Sequence, residues 1–389
     1  MTALLVTPLV GLRGATPTRV SDAGQADRVL VGVNYFAGWW DELPNKWHGN
    51  GWAKSEADWR PRYPDRVPLL GSYNDQATMD REIVAAVEHG VDFFSILWYF
   101  APAGSKQEPI SRLLDRGLVN FQQSPNSPRM KFLIEYCNAP EFNATNDAQW
   151  AECIKVWVAA MKHPSYLRVG GRLVFKVHSA EQFLRTHDND VPRCRRRLDD
   201  LRHAVRAAGL GEMLIGGGIM SRSQIKPSHP VATLFDFTAT YMSIPEVEVG
   251  EAEHPFSSLA QESRSARVFH ATDPIPWVPY LAAGWNPRPW THAGADANHR
   301  RFFAFPTREE WAAELRQIQD DFRRFPSLGL PLPDGGRQPI FTIYAWNEFG
   351  EGGIVAPTRG EQYRKLDAIR DVYAPALPAR PASPRSAGQ

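Results

Sequence analysis

Short apolar runs alternate with longer amphipathic segments along most of the chain. The first run covers residues 29–36 (VLVGVNYF) and the second covers residues 91–100 (VDFFSILWYF). Between them, a helical spacing of apolar positions begins after Asn74 or Asp75 and ends before Gly90. Runs that are apolar at consecutive positions, rather than at alternate ones, are typical of buried parallel strands.

The same alternation continues to the end of the chain. Further strands are predicted over residues 130–138, 173–179, 213–220, 235–243, 275–283 and 339–346. Further helices are predicted over residues 109–121, 147–162, 192–208, 307–325 and 360–373. About eight strand–helix cycles without an internal break match an α/β fold, a (β/α)8 TIM barrel with long βα loops after strands 1, 6 and 7. An acidic and polar insertion, residues 246–270, is expected between strands 6 and 7.

One catalytic domain is therefore expected over residues 28–375. A flexible N-terminal segment, residues 1–27, is expected before it, and a disordered Pro-, Ala- and Ser-rich tail, residues 376–389, is expected after it. The first residues are apolar but no basic segment precedes them, so two interpretations stay open, a truncated signal peptide or no signal at all. The compartment stays open, with a secreted or periplasmic location favoured over a cytoplasmic one.

Charge and composition narrow the classes of ligand. The chain has 44 basic and 43 acidic residues, which is not the electrostatic pattern of a protein that binds nucleic acid. No run reaches the 18 or so apolar residues of a membrane span. The three cysteines, Cys137, Cys153 and Cys194, predict neither a disulfide framework nor a zinc site. Thirteen tryptophans and eleven tyrosines, many in loop-like segments, suit stacking on the rings of a carbohydrate substrate, although large aromatic residues also fill barrel cores. The oligomeric state stays open.

Barrel enzymes build their active sites at the carboxyl ends of the strands. The polar and aromatic residues that end the predicted strands are therefore candidates for substrate binding: Asn34, Tyr35, Trp98, Tyr99, Glu135, Tyr136, Lys176, His178, Tyr241, Trp285, Arg288, Tyr344, Trp346 and Asn347. No metal-ligand spacing, nucleophile elbow or phosphate-binding glycine loop accompanies them. We accordingly expect neither a metal nor a cofactor.

The catalytic candidates are Glu348 and Glu351, in the segment AWNEFGEG after strand 8. Residues three apart on a strand point to opposite faces, so these two converge only if the chain bends between them, and Gly350 permits a bend. Two carboxylates in a partly apolar pocket are driven to different pKa values, as acid and base roles require. Two structural alternatives remain open: Glu351 caps a turn, or Glu348 pairs with Arg288 or Lys176.

The pattern Asn347-Glu348-x-x-Glu351-Gly352 after an apolar strand resembles the catalytic segment of glycoside hydrolase family 99, the endo-α-mannosidases, and of the wider family-99-like group. Less specific similarities to this group occur in the group's own order earlier in the chain, at residues 73–100, 131–136, 163–166 and 284–290. The resemblance implies a (β/α)8 barrel that hydrolyses α-mannoside-like linkages of a poly- or oligosaccharide. It also implies that Glu348 is the base at the sugar 2-hydroxyl and that Glu351 is the general acid. The product would form with retention through a 1,2-anhydro sugar.

Two segments depart from that family. Phe349 and Gly350 stand where the mannosidases have Trp and His, and LIEY replaces a His-Ile-Glu-Pro-Tyr type pattern on strand 3. Glu135 could thus partner Glu348 in an ordinary two-carboxylate mechanism. Two further alternatives are a glycosyltransferase of polysaccharide assembly and a non-catalytic sugar-binding barrel.

Overall fold

The computed structural model describes residues 28–52, 57–220, 222–292 and 295–374. Predictions for residues 1–27 and 376–389 lie outside these ranges. Eight parallel strand positions form the central sheet: β1 Leu30–Tyr35, β2 Phe93–Trp98, β3 Lys131–Tyr136, β4 Arg172–Val177, β5 Met213–Gly218, β6 Phe237–Ala239, β7 in two pieces (Trp277–Val278 and Tyr280–Ala282), and β8 Ile340–Tyr344. The sheet closes because β6 pairs with the first piece of β7 while β8 pairs with the second. Pro279, which lacks an N–H donor, separates the two pieces.

Helices connect the strands on the outside of this barrel. They are α1 Gln76–Val87, α2 Glu108–Leu114, α3 Arg116–Gln123, α4 Asp147–Met161, α5 Ala180–Thr186, α6 Val191–Ala207, α7 Val231–Leu234, α8 Phe256–His270, α9 Arg308–Arg324 and α10 Arg364–Tyr373. Their starts follow the sequence closely: Asp75 accepts a bond from Ala77 N, and Thr307 forms a capping box with Glu310. The predicted (β/α)8 TIM-barrel fold is confirmed.

Two predicted segments differ from the observed elements. The helix predicted over residues 109–121 is two helices, α2 and α3, which meet at Asp115. The insertion predicted over residues 246–270 contains helix α8, whose Phe256, Leu259 and Ala260 are buried. Polar residues between these apolar positions obscured the helical spacing in the sequence, and α8 fills the place of the helix between β6 and β7.

Short strands and 3-10 turns shape the remaining loops. Arg168–Val169 pairs with β4, Glu253–His254 with Phe302–Phe303, Leu330–Pro331 with Arg337–Gln338, and Asn347–Glu348 with Gly353–Ile354. Between β1 and α1, the described residues form only the 3-10 turns Lys46–His48, Arg60–Arg62 and Pro64–Arg66. This loop contributes Trp39, Trp40, Trp47 and Trp59, which are all nearly fully buried. It therefore adds a packed group of aromatic rings to the carboxyl end of β1.

Apolar side chains fill the barrel interior at the end opposite the carboxyl ends of the strands. A ligand can therefore enter only from the other end. Phe93 and Phe237 occupy the interior beside Gly32 and Gly216, where an added Cβ would lie 2.0 and 2.3 Å from their rings. Above this apolar layer the interior becomes polar, with Glu135 fully buried at the carboxyl end of β3. The polar layer lies toward the carboxyl ends of the strands, so we expect a ligand to enter at that end, as in other (β/α)8 barrels.

Candidate active site

A tight turn follows β8 and places both candidate carboxylates at the mouth of the barrel. The strand Asn347–Glu348 pairs with Gly353–Ile354, and the amides of Glu351 and Gly352 donate to the Glu348 carbonyl at 3.2 and 2.8 Å. Gly352 has a φ of +90°, the left-handed region that glycine tolerates. Gly350 is needed for a different reason, because a Cβ there would lie 2.1 Å from the Trp290 ring. The predicted bend is present, but Gly352 rather than Gly350 supplies the special conformation.

The two carboxylates lie against neighbouring tyrosines. Glu348 is 7% exposed, and its Oε1 accepts a hydrogen bond from the Tyr241 hydroxyl at 3.1 Å. Glu351 is partly buried, and its Oε2 accepts a hydrogen bond from the Tyr344 hydroxyl. The Tyr241 and Tyr344 ring centroids are 5.1 Å apart. The turn therefore presents both acidic groups to one aromatic-lined region.

Burial controls the protonation of this pair. It raises the pKa of Glu348 well above its usual value, and the negative charge of Glu351 raises it further. Burial also raises the pKa of Glu351, while the hydrogen bond from Tyr344 opposes the rise. Because the groups interact, they titrate as a unit that retains a proton at higher pH than free carboxyls do. A pair holding one proton can act as both acid and base.

Neither structural alternative for the glutamates is present. Lys176 pairs with Glu135 at 2.9 Å, and Arg288 pairs with Glu253. The side chain of Glu351 bonds the Tyr344 hydroxyl, whereas the turn is closed by backbone amides. Glu348 thus forms no ion pair with Lys176 or Arg288, and Glu351 does not cap the turn.

A lysine that the sequence reasoning missed lies close to the pair. Burial lowers the pKa of Lys46 to about 8, and the negative charges of Glu348 and Glu351 oppose this lowering. Its Nζ lies 4.6 Å from the centre of the Trp52 ring and 5.2 Å from that of Trp290. The only signal in the sequence was its position within the tryptophan-rich loop after β1.

A buried arginine, also missed, holds the turn from behind. Arg66 Nη1 donates to the carbonyls of Phe349 and Gly350 at 3.2 and 3.4 Å, and Nη2 donates to Asn286 Oδ1 at 3.1 Å. The Asn286 amide donates to the Glu351 carbonyl at 2.6 Å. Guanidinium donors therefore fix the backbone between the two glutamates.

Glu135 forms a separate network below the pair, in which both of its oxygens have partners. One oxygen faces Lys176 Nζ at 2.9 Å and His178 Nδ1 at 2.6 Å, and the other accepts from Asn34 Nδ2 and Ser95 Oγ at 3.1 and 2.8 Å. The charge of Lys176 and the bond with His178 outweigh burial and lower the pKa of Glu135 to about 2. A carboxylate held ionised by four partners is suited to orienting neighbours. This arrangement argues against Glu135 as a proton donor to a ligand.

Several predicted substrate-binding residues surround the pair besides Tyr241 and Tyr344. His178 is partly exposed, with its ring centroid 4.8 Å from that of Tyr241. The Trp285 ring lies 6.1 Å from that of Tyr344. The pKa of Tyr99 is raised by burial and by nearby charges that include Glu348. These side chains supply aromatic faces and polar edges near the carboxylates.

Four predicted residues instead face the helices, which corrects the sequence prediction. The Tyr35 hydroxyl and the Trp346 indole both donate to Glu82 of α1, each at 2.8 Å. Trp98 and Tyr136 pack on Trp157 of α4, at ring distances of 5.5 and 5.1 Å. The physical reason is the two-residue period of a strand, since Tyr35 and Tyr136 directly follow residues that point inward.

Two more predicted residues are used by the protein itself. Asn347 bonds the backbone of Phe36, with Oδ1 accepting from the amide at 2.9 Å and Nδ2 donating to the carbonyl at 2.7 Å. Arg288 pairs with Glu253 and lies 4.4 Å from the Phe302 ring. Asn347 therefore joins the loops after β1 and β8, and Arg288 braces the loop after β7.

An open cleft of about 760 Å³ shares Lys46 with this region, although neither Glu348 nor Glu351 lines it. Its walls come from the loops after β1, β2 and β3, and Lys46 lines it. Within the described ranges, no group of three or more His, Cys, Asp or Glu side chains is placed to hold a metal ion. No helix in the same part of the chain has the length and apolar character to cross a membrane.

The fold and the site define a (β/α)8 barrel with a protonatable carboxylate pair at the carboxyl ends of its strands. No family model matches the chain, and a search of curated proteins finds no match. Among solved structures, it is similar in fold to a glycoside hydrolase-like protein, with TM-score 0.55, 14% identity, and coverage of 89% of this chain and 94% of the other. It is also similar to the GH99 endo-alpha-mannosidase from Bacteroides thetaiotaomicron, with TM-score 0.50, 16% identity, and coverage of 89% and 96%. At these identities the likeness concerns the fold.

Proposed function

We propose that the protein is a retaining glycoside hydrolase that acts on α-mannoside-like linkages of a poly- or oligosaccharide. The observation that carries the proposal is the pair of carboxyl groups, buried Glu348 and partly buried Glu351, that one turn presents to one aromatic-lined region. Paired carboxyl groups are the usual catalytic groups of glycosidases. The fold shared with a GH99 endo-alpha-mannosidase agrees with the resemblance of the NEFGEG segment to that family.

The first chemical step uses both glutamates. Glu348 takes the proton of the sugar 2-hydroxyl, and the 2-oxygen attacks the anomeric carbon. The glycosidic bond breaks as Glu351 gives its proton to the leaving oxygen, which produces a 1,2-anhydro sugar and a free chain end. An α-manno configuration favours this step, because its 2-oxygen stands opposite the leaving group.

The second step restores both carboxyl groups. Glu351 takes a proton from water, whose oxygen attacks the anomeric carbon, and the bond between that carbon and the 2-oxygen breaks. Glu348 then returns its proton to the 2-oxygen. Two inversions give net retention, without a covalent bond to the protein as in the usual retaining scheme.

A substrate lacking the 2-hydroxyl tests this mechanism. We expect the enzyme to cleave an α-mannoside but not its 2-deoxy analogue, because the analogue has no internal nucleophile. Product analysis by NMR at early times should show the α-anomer first. Cleavage of the 2-deoxy analogue at a comparable rate would contradict the anhydro route and favour an enzymic nucleophile.

Removal of either glutamate tests the assignment of the site. Glu348→Gln and Glu351→Gln should each lower kcat on a natural glycan by at least about 10²–10⁴-fold, the usual contribution of a positioned acid or base. Glu309→Gln, on the exposed side of α9, is the matched control and should keep full activity. Glycan binding without turnover by the unchanged protein would instead indicate a non-catalytic sugar-binding barrel.

A further inference from the structure

The cleft that Lys46 lines is built from three neighbouring βα loops. It is lined by Lys46 and Trp52 after β1, by Lys106 and Gln107 before α2, and by Glu141 after β3. Its volume of about 760 Å³ lies within the range of ordinary ligand sites, roughly 300–1,000 Å³. Its walls carry two lysines, one glutamate and the amides of Asn50 and Gln107, which can hydrogen-bond a ligand with many hydroxyl groups.

Lys46 lines this cleft and has more N–H donors than acceptors around it. Its ammonium group carries three N–H donors, and it bonds both the carbonyl and the side-chain Oδ1 of Asn50, the latter at 3.1 Å. The Trp52 and Trp290 rings contact it from two sides. Among the described residues, no carboxylate lies within 4.0 Å of it to form an ion pair. A third donor direction is therefore available to a ligand.

Trp290 connects Lys46 to the catalytic turn. Its ring packs on Gly350, where an added Cβ would lie 2.1 Å from a ring atom. Its indole N–H donates to the Lys46 carbonyl at 3.1 Å. The charge of Lys46 also acts on Glu348 and Glu351. One cation thus belongs both to the wall of the cleft and to the electrostatic surroundings of the pair.

We propose that the cleft binds the sugar units next to the cleaved bond and that Lys46 determines specificity there, donating its free N–H to an oxygen of the unit nearest the glutamates. This inference rests on the proposed function. It predicts an oligosaccharide that extends beyond a single sugar ring, because the cleft is lined by Lys106 and Glu141 as well as by Lys46.

Replacement of Lys46 separates its two effects. Lys46→Met removes a charged donor and should weaken oligosaccharide binding about tenfold to hundredfold. It also removes the positive charge that lowers the pKa of both glutamates, so the acidic limb of the pH–activity profile should move to higher pH. The other groups whose charges bear on Lys46 are Glu141 and Cys137, and those on the pair include His178 and His299. Lys46→Arg should keep the acidic limb in place.

The experiment measures calorimetric binding of α-linked mannose oligomers of two to five units, and the pH dependence of kcat/KM. Binding is measured in the Glu348→Gln protein with and without Lys46→Met, and kcat/KM is measured in the parent protein with Lys46→Met or Lys46→Arg. Lys155→Met, on the exposed face of α4, is the control for the loss of a surface charge. Weaker binding and a shifted acidic limb in Lys46→Met alone would support the inference, as would affinity that rises with oligomer length.

The contradicting outcomes are distinct. Unchanged affinity and an unchanged acidic limb in Lys46→Met would overturn the role of Lys46, while cleavage by the parent protein would leave the proposed function intact. Absence of oligomer binding would overturn the assignment of the cleft. Absence of cleavage of every glycan by the parent protein would overturn the proposed function, whatever the binding result. Thermal unfolding of Lys46→Met and Lys46→Arg shows whether either variant has a folding defect. If Lys46→Met has one, the affinity of Lys46→Arg is compared with that of the parent protein instead.

Discussion

Glu135→Gln provides a demanding test of how the buried carboxyl groups differ in purpose. The substitution keeps the shape of the side chain but removes a charge that Lys176 and His178 contact directly. The new amide group would also direct N–H donors at partners that are themselves donors. We therefore expect a stability defect at a position that is fully buried.

The magnitude follows from the pKa of Glu135, which falls from 4.5 to about 2 in the folded protein. Since each pKa unit corresponds to about 1.4 kcal/mol, the ionised form stabilises the fold by about 3 kcal/mol at pH 7. Removal of one partner of a buried ion pair typically costs about 3–5 kcal/mol, which agrees. Because the folded pKa is lowered, this contribution is present above pH 4.5 and is lost as the pH falls toward 2.

Urea unfolding of both proteins at pH 7 and pH 3 measures this effect, provided that the slope of the transition is unchanged. Glu135→Gln should be about 3 kcal/mol less stable at pH 7, and the difference should shrink at pH 3. A variant within 1 kcal/mol of the parent at pH 7, yet inactive, would refute the reasoning. Glu135 would then be a catalytic carboxylate, as in an ordinary two-carboxylate mechanism.

Three further predictions concern the catalytic turn. Glu348→Gln should raise the stability at pH 7 by on the order of 1 kcal/mol, because burial raises the pKa of Glu348 and so penalises its ionised form. Unfolding curves should show that this gain disappears near pH 4, below the pKa of the unfolded group, and a loss of stability at pH 7 would contradict it. A plot of kcat/KM against pH should be bell-shaped, with its acidic limb above pH 4.5, because only the singly protonated pair has both an acid and a base; a flat profile would exclude acid–base catalysis by the pair. Gly350→Ala should lower the free energy of unfolding by about 1–3 kcal/mol through overlap with the Trp290 ring, and it should reduce kcat. Gly335→Ala is the comparison: its Cβ has open space, so it tests only the effect of a positive φ and should leave kcat unchanged.

The fold was largely predictable because parallel buried strands leave a direct signal. Residues 29–36 and 91–100 are nearly continuous apolar runs, and each contains its observed strand, β1 or β2. Helix α8 was missed although Phe256, Leu259 and Ala260 have helical spacing, because serines and other polar residues separate its apolar positions. Local patterns thus identified most elements but not every boundary.

The site was predictable only where it is local in sequence. Glu348 and Glu351 share one turn, so their spacing was informative. Lys46 and Arg66 reach that turn from a loop roughly 300 residues earlier, and no local pattern reports such a contact. Whether Tyr35 points inward depends on the rotation of its strand, which only the assembled barrel defines.

Glu348 and Glu351 have a joint assignment, as base and acid acting on one ligand. Activity on an α-mannosyl fluoride tests it most directly, because fluoride leaves without a proton from an acid. In the first turnover, Glu351→Gln should release fluoride at much of the parent rate, because only the second step then needs Glu351, while it loses activity on a natural glycan. Glu348→Gln should be inactive on both substrates. Equal losses on the fluoride in the two variants, or equal retention, would contradict the assigned roles.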